Sequence, residues 1–166
     1  MKKIRVLVNG VLDQFGSAAS RNVLKMSNMF LIPLSIAKCG DYRKFSVNQV
    51  IVDLVSPEEI TQKCASDILF DYGRPDVVVD CNPNSIFKII IPDCLCDKTS
   101  FVLSSSGNIE QDVKRLKREI KGLGVNIALM SENYSEKEIL EAINFLYEKN
   151  EANIFGQVFL SEDIAA

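Results

Sequence analysis

Residues 4–16, IRVLVNGVLDQFG, read as a strand that runs straight into a tight turn. Ile4, Val6, Leu7 and Val8 form a short apolar run ahead of Asn9-Gly10, the pattern of a parallel strand covered on both faces. In an α/β fold that binds a nucleotide, Gly10 would make the turn and a middle glycine would let a pyrophosphate approach the backbone. Gly16 would then let the next helix pack closely, with its N-terminus aimed at the phosphates. The middle position here is Asp13. Its carboxylate would face a like charge at a cost of roughly 1 to 4 kcal/mol, depending on the effective dielectric, and its Cβ would narrow the approach. A glycine pair at this spacing also marks an ordinary strand-to-helix turn, and both readings stand at this point.

Outward from this stretch, strands and helices alternate. Residues 17–26 are expected to form a short helix with Ala18, Ala19, Val23, Leu24 and Met26 as its apolar stripe. Residues 30–36, FLIPLSI, are a second apolar strand, and Pro33 places it at an edge or bulge where that backbone donor is not needed. Residues 45–54 alternate in polarity and predict a small hairpin turning at Asn48-Gln49. Ser56-Pro57-Glu58-Glu59 supplies a serine cap, a proline at the first helical position and a glutamate three residues after the cap, opening a helix to about residue 70.

Residues 76–80, DVVVD, are a further buried strand bounded by Pro75 and Asn82-Pro83, and Asn84 or Ser85 caps a helix to about residue 94. Residues 101–103 are a strand that ends in the turn 104–107. From 109 to 121, Ile109, Val113, Leu116 and Ile120 recur at helical spacing, and Gly122 supplies the stop. Residues 125–130 are a strand, 135–147 a helix and 154–160 a last extended segment. This alternation predicts one doubly wound, Rossmann-like α/β domain over 1–166, a mainly parallel sheet with helices on both faces.

The chain has 166 residues, 47% hydrophobic and 25% charged, enough for one well-filled core and too few for two sizeable domains. Its 19 basic and 22 acidic residues give a net charge of -3 with no long run of either sign. Neither a nucleic acid nor an anionic membrane has electrostatic support as a partner. No apolar stretch reaches membrane-span length, and Met1-Lys2-Lys3 does not open a signal peptide. A soluble cytoplasmic protein is expected, or one of an organelle matrix or stroma if a transit peptide has been removed.

Five cysteines, at 39, 64, 81, 94 and 96, are scattered through apolar segments and read as reduced core thiols. Cys94 and Cys96 have no histidine and no second close cysteine pair to complete a zinc site, so no metal is expected. The absence of histidine also excludes Ser/His/Asp and Cys/His mechanisms.

Four motifs carry a family resemblance: VNGVLDQFG at 8–16, VVVDCN at 77–82, Ser104-Ser105-Ser106-Gly107 before an acidic helix start, and Ser131-Glu132-Asn133-Tyr134-Ser135. Their order over residues 4–135 resembles the nucleotide-binding domain of dihydrodipicolinate reductase, a nicotinamide-dependent family of lysine and diaminopimelate synthesis. The first resembles that family's G-x-x-G-R-M-G loop, keeping Gly10 and Gly16, with Asp13 at the middle glycine and Gln14 and Phe15 at the usual Arg and Met. The second keeps Asp80 of a D-F-T strand end, with Asn82 two residues on. The serine run resembles the G-T-T-G loop by the nicotinamide, and Asn133, Tyr134 and Ser135 match the A-P-N-F-S exit segment. The hairpin followed by Ser56-Pro57-Glu58 looks most like the plant and cyanobacterial branch.

The resemblance implies NADH or NADPH as cofactor, its binding weakened by Asp13. Contacts would come from Gly10, Asp13, Gln14, Phe15, Gly16, Asp80, Asn82, Ser104, Ser105, Ser106, Gly107, Asn133 and Tyr134. The family continues into a substrate-binding, tetramer-forming domain with a histidine pair and a K-x-D-A-P-S-G-T motif, and neither is present. Residues 139–166 loosely resemble the family's C-terminal return. The chain is then either a reductase without its middle or one that stops after the exit helix.

No catalytic residue stands out. Tyr134 and Lys137 lie nearest the expected nicotinamide edge, and Lys137 also reads as a solvent-facing lysine at a helix start. The expected role is a non-catalytic pseudoenzyme, a scaffold or regulatory subunit that binds a protein partner or a second copy, since this accounts for both Asp13 and the missing domain. The alternatives are an NAD(P)-binding module and a reductase that needs a partner for its substrate site.

Overall fold

A computed structural model describes residues 2–9, 14–34, 44–47, 50–53, 75–80, 97–131 and 133–165. In chain order these hold β1 (Ile4–Asn9), α1 (Gln14–Lys25), β2 (Met29–Leu34), β3 (Lys44–Val47), β4 (Val50–Asp53), β5 (Val77–Asp80) and β6 (Asp97–Ser104). There follow α2 (Ile109–Glu119), β7 (Gly124–Met130), α3 (Glu136–Glu151), β8 (Val158–Leu160) and α4 (Ser161–Ala165). The expected helices at 56–70 and 84–94, and all five cysteines, lie outside the described residues.

Six strands form one parallel sheet in the order β2-β1-β5-β6-β7-β8. All five segments expected in one sheet are there, and β8 joins them. Pro33 stands opposite Val8 on β2, which is the outermost strand among the described residues, so its missing N–H breaks no ladder there. The expected hairpin strands are also present as a separate antiparallel pair, β3 with β4, in which Val47 stands opposite Val50; the expected turn residues Asn48 and Gln49 lie outside the described residues.

The strands are apolar throughout because both faces are covered. Val6, Val8, Val77, Val79, Val102 and Ala128 face Ala19 and Val23 of α1 and Ile139, Ala142, Ile143 and Leu146 of α3. The alternate residues Leu7, Val78, Phe101, Ile127 and Leu129 pack with Leu116 and Ile120 of α2 on the other face. Each large side chain buried in this way contributes about 1.5 to 3 kcal/mol relative to exposure.

Several boundaries differ from expectation, β6 beginning at Asp97 rather than 101 and β8 at Val158 rather than 154. The first helix starts at Gln14 rather than at 17, so Gln14, Phe15 and Gly16 belong to its first turn and only 10–13 remain between strand and helix. Small buried residues, Ala18, Ala19 and Ser20, let α1 lie close to the sheet, and the Ser20 hydroxyl donates to the Gly16 carbonyl at 2.7 Å.

The helix α3 continues past 147 to Glu151. It ends where Asn153 takes φ 57, with Asn153 N–H bonded to Asn150 O at 3.0 Å and Ile154 N–H to Lys149 O at 2.9 Å, the paired bonds that close a helix C-terminus through a left-handed residue. The short α4 was not expected; Asp163 accepts from the Leu160 N–H at 2.7 Å and ties its first turn to the end of β8. None of the helices is long and apolar enough to cross a membrane, among the described residues.

Candidate functional site at the carboxyl edge of the sheet

Strand order reverses at β1. The chain goes from β1 to β2 on one side and later to β5 on the other, so Asn9, the last residue of β1, stands between Leu34 and Asp80 in register. In open α/β sheets the crevice outside the carboxyl ends at such a reversal is where ligands seat. The helix α1 begins close after β1, and its first turn from Gln14 holds no acidic residue. Asp80, buried at 4% exposure, ends β5 beside it.

The serine turn lies one strand further along, at the end of β6. In parallel register Val102 pairs with Ala128 and Ser104 with Met130, and Val102, Ala128 and Met130 all belong to the face covered by α1 and α3. Ser104 therefore continues on that face, exposed, and it makes no side-chain hydrogen bond among the described residues. Strands lie about 4.8 Å apart, which sets β6 roughly 10 Å from β1.

Ser105 and Ser106 turn the opposite way, toward α2. The Ser105 hydroxyl donates to Asp112 Oδ2 at 2.9 Å. The Ser106 N–H donates to Oδ2 at 2.8 Å, and its hydroxyl reaches Oδ1 at 2.8 Å. Arg115 Nη2 adds a contact of 3.8 Å to Oδ1. Burial pushes the Asp112 carboxyl up, but the Ser106 and Ser105 hydrogen bonds and the Arg115 charge outweigh it, and the group is held below its ordinary value. Gly107, at φ 112, makes the turn that L side chains rarely adopt. Its N–H donates to Ser105 Oγ at 3.1 Å, and Asn108 then caps α2 by accepting from the Gln111 N–H at 3.1 Å.

The exit segment is placed differently. Tyr134 is 8% exposed and packs in the core with residues of α3, while Asn133 is exposed. Ser135 is the cap of α3 and accepts from the Glu138 N–H at 3.2 Å. Lys137 is a solvent-facing lysine, its side chain 86% exposed and 3.8 Å from Glu141. Near the start of α3, Asn22 of α1 donates to Glu136 at 2.8 Å, joining the two helices on one face.

Of the residues singled out in the sequence, the fold brings the start of α1, Asp80 and Ser104 to one edge. Gly10, Asp13 and Asn82 lie outside the described residues. Asp112 was missed. An acid in the first turn of the helix after a serine run is its only sequence signal, and such acids usually read as partners of the helix dipole. Among the described residues no group of three or more Cys, Asp or Glu side chains gathers to hold a metal ion.

No family model matches the chain, and no curated protein matches it. Solved structures do. A protein assigned as a short-chain dehydrogenase/reductase from Sinorhizobium meliloti 1021 is 12% identical over 97% of this chain and 96% of that one, with a TM-score of 0.58. Another so assigned, from Corynebacterium glutamicum, is 13% identical over 94% of this chain and 98% of that one, with a TM-score of 0.52. Dihydrodipicolinate reductase from Paenisporosarcina sp. TG-14 is 17% identical over 84% of this chain and 51% of that one, with a TM-score of 0.47. At these identities the likeness to the two short-chain proteins shows the fold, a Rossmann-type α/β sheet.

Proposed function

We propose that the chain is a nucleotide-binding module of the kind that forms the first domain of dihydrodipicolinate reductases, holding NADPH or NADH without reducing a substrate unaided. The observation that carries this reading is the reversal of strand order at β1, which sets Asn9 beside Asp80, the position at which open α/β sheets seat their ligands. The loop motifs at 8–16 and 104–107 supply the nicotinamide dinucleotide as the ligand class. Asp13 keeps the affinity low by opposing the pyrophosphate charge.

Reduction of an unsaturated ring needs a donor that protonates the acceptor beside the nicotinamide. Tyr134 is in the core, Lys137 points to solvent beside Glu141, and the hydroxyls of Ser105 and Ser106 are given to Asp112. A partner chain, or a second copy, would supply that donor and the substrate clamp. The test is a fluorescence titration of the purified protein with NADPH and NADH, followed by a turnover assay with dihydrodipicolinate. Binding without turnover supports the reading.

A second reading, a pseudoenzyme scaffold that binds only protein, is favoured by the same engagement of two of the three serine hydroxyls. A folded protein that binds neither cofactor at millimolar concentration would leave this second reading standing and remove the first.

A further inference from the structure

Resting on the nucleotide-binding reading, we propose that Ser104 alone is the hydroxyl this turn offers to a bound dinucleotide, and that Asp112 is the positioning residue that makes it so. Three serines in a row look equivalent in the sequence. The fold separates them. Ser105 and Ser106 point to α2 and donate to one carboxylate, whereas Ser104 is exposed on the α1 and α3 face with no internal acceptor among the described residues.

A hydroxyl already given to a buried carboxylate is a poor donor to a ligand, because the exchange would strand a charge-assisted bond inside the protein. A free hydroxyl loses only water. Ser104 also shares its face of the sheet with α1, so a ligand lying across the carboxyl end of β5 meets the start of α1 and Ser104 together. The other two hydroxyls lie on the far side of the sheet edge. Asp112 acts at a distance from any ligand: by holding Ser106 through both its N–H and its hydroxyl, it fixes where the chain leaves β6 and hence where Ser104 stands.

The experiment is a double-mutant cycle on the full chain, with dissociation constants for NADPH and NADH and the thermal midpoint read for every variant. Ser104→Ala is expected to weaken binding about three- to tenfold, the range of one lost hydrogen bond, with an unchanged midpoint, and Ser104→Thr to restore it. Ser105→Ala is expected to lower the midpoint and leave affinity within about twofold, and Ser106→Ala, which keeps the backbone N–H bond to Asp112, to lower the midpoint and weaken binding less than Ser104→Ala. Asp112→Asn should weaken binding in the Ser104 background and add nothing to Ser104→Ala, the non-additivity of a residue acting through another.

Equal losses at Ser104, Ser105 and Ser106, or additive effects of Asp112→Asn and Ser104→Ala, would overturn the inference while the nucleotide-binding reading survives. No binding of either cofactor by the unsubstituted protein would overturn both.

Discussion

Ser106 is bound to Asp112 through two of its own groups, the backbone N–H at 2.8 Å from Oδ2 and the hydroxyl at 2.8 Å from Oδ1. The turn after β6 is thus locked to the helix that follows it by a buried carboxylate six residues further on. Both donors come from a residue that is itself at the surface, and the acceptor is 5% exposed.

The lock has a pH signature. Burial raises the Asp112 carboxyl and its serine and arginine partners lower it further, so its folded value lies below the ordinary 3.8. A depressed carboxyl stabilises the fold fully above its unfolded value and loses that contribution as pH falls through the folded value. Asp112→Asn is therefore expected to cost roughly 1 to 3 kcal/mol at neutral pH. The gap between variant and parent should close below about pH 4, as measured by urea unfolding across a pH series. A gap that stays constant down to pH 2 would contradict the charged lock.

At the opposite end of the sheet, Asn126 is fully buried and joins three elements. Its Nδ2 donates to the Ile154 carbonyl at 2.6 Å and to Asn150 Oδ1 at 3.2 Å, and its Oδ1 accepts from the Gln157 N–H at 3.1 Å. Asn126→Ala leaves those backbone groups without partners and is expected to destabilise by roughly 2 to 4 kcal/mol. Urea midpoints with an unchanged m-value are the readout. A loss under 0.5 kcal/mol, the scale of a surface substitution, would mean the network is dispensable.

Ile143, 0% exposed on α3, belongs to the core cluster that covers this face of the sheet, with Val79 of β5 and Val102 of β6 among its members. Ile143→Ala removes three buried carbons and leaves a cavity, with an expected cost of about 2 to 5 kcal/mol. Calorimetry on the variant reports it, and a midpoint equal to that of the parent would contradict the assignment of this face to the core.

Most of the sheet was legible in the sequence because both of its faces are covered. Runs such as Val77-Val78-Val79 have to be buried strands, and Pro33 could only stand where a donor was not needed. The start of α1 was harder to read, since Asp13, of a type that favours the position before a helix, also fits the middle position of a phosphate loop, and the close packing of Ala18 and Ala19 on the sheet is a tertiary effect. The division of labour among Ser104, Ser105 and Ser106 was hidden for a related reason. Strand alternation sends Ser104 to one face, and which hydroxyl is spent depends on Asp112, a residue on the next helix.

Asp13→Gly is expected to tighten dinucleotide binding by about tenfold, since it removes both a like charge and a Cβ from the phosphate approach. Parallel titrations of variant and parent measure it. Equal or weaker binding by the glycine variant would show that Asp13 does not face the phosphates.

The most direct measurement is an isothermal titration of the unsubstituted protein with NADPH and NADH. Saturable one-site binding with a dissociation constant on the order of 0.1 mM, about -5.5 kcal/mol, is the expected result for a Rossmann-type module weakened at its first loop. Absence of any binding at millimolar cofactor would contradict the nucleotide-binding function, and a low-micromolar constant would contradict the weakening assigned to Asp13.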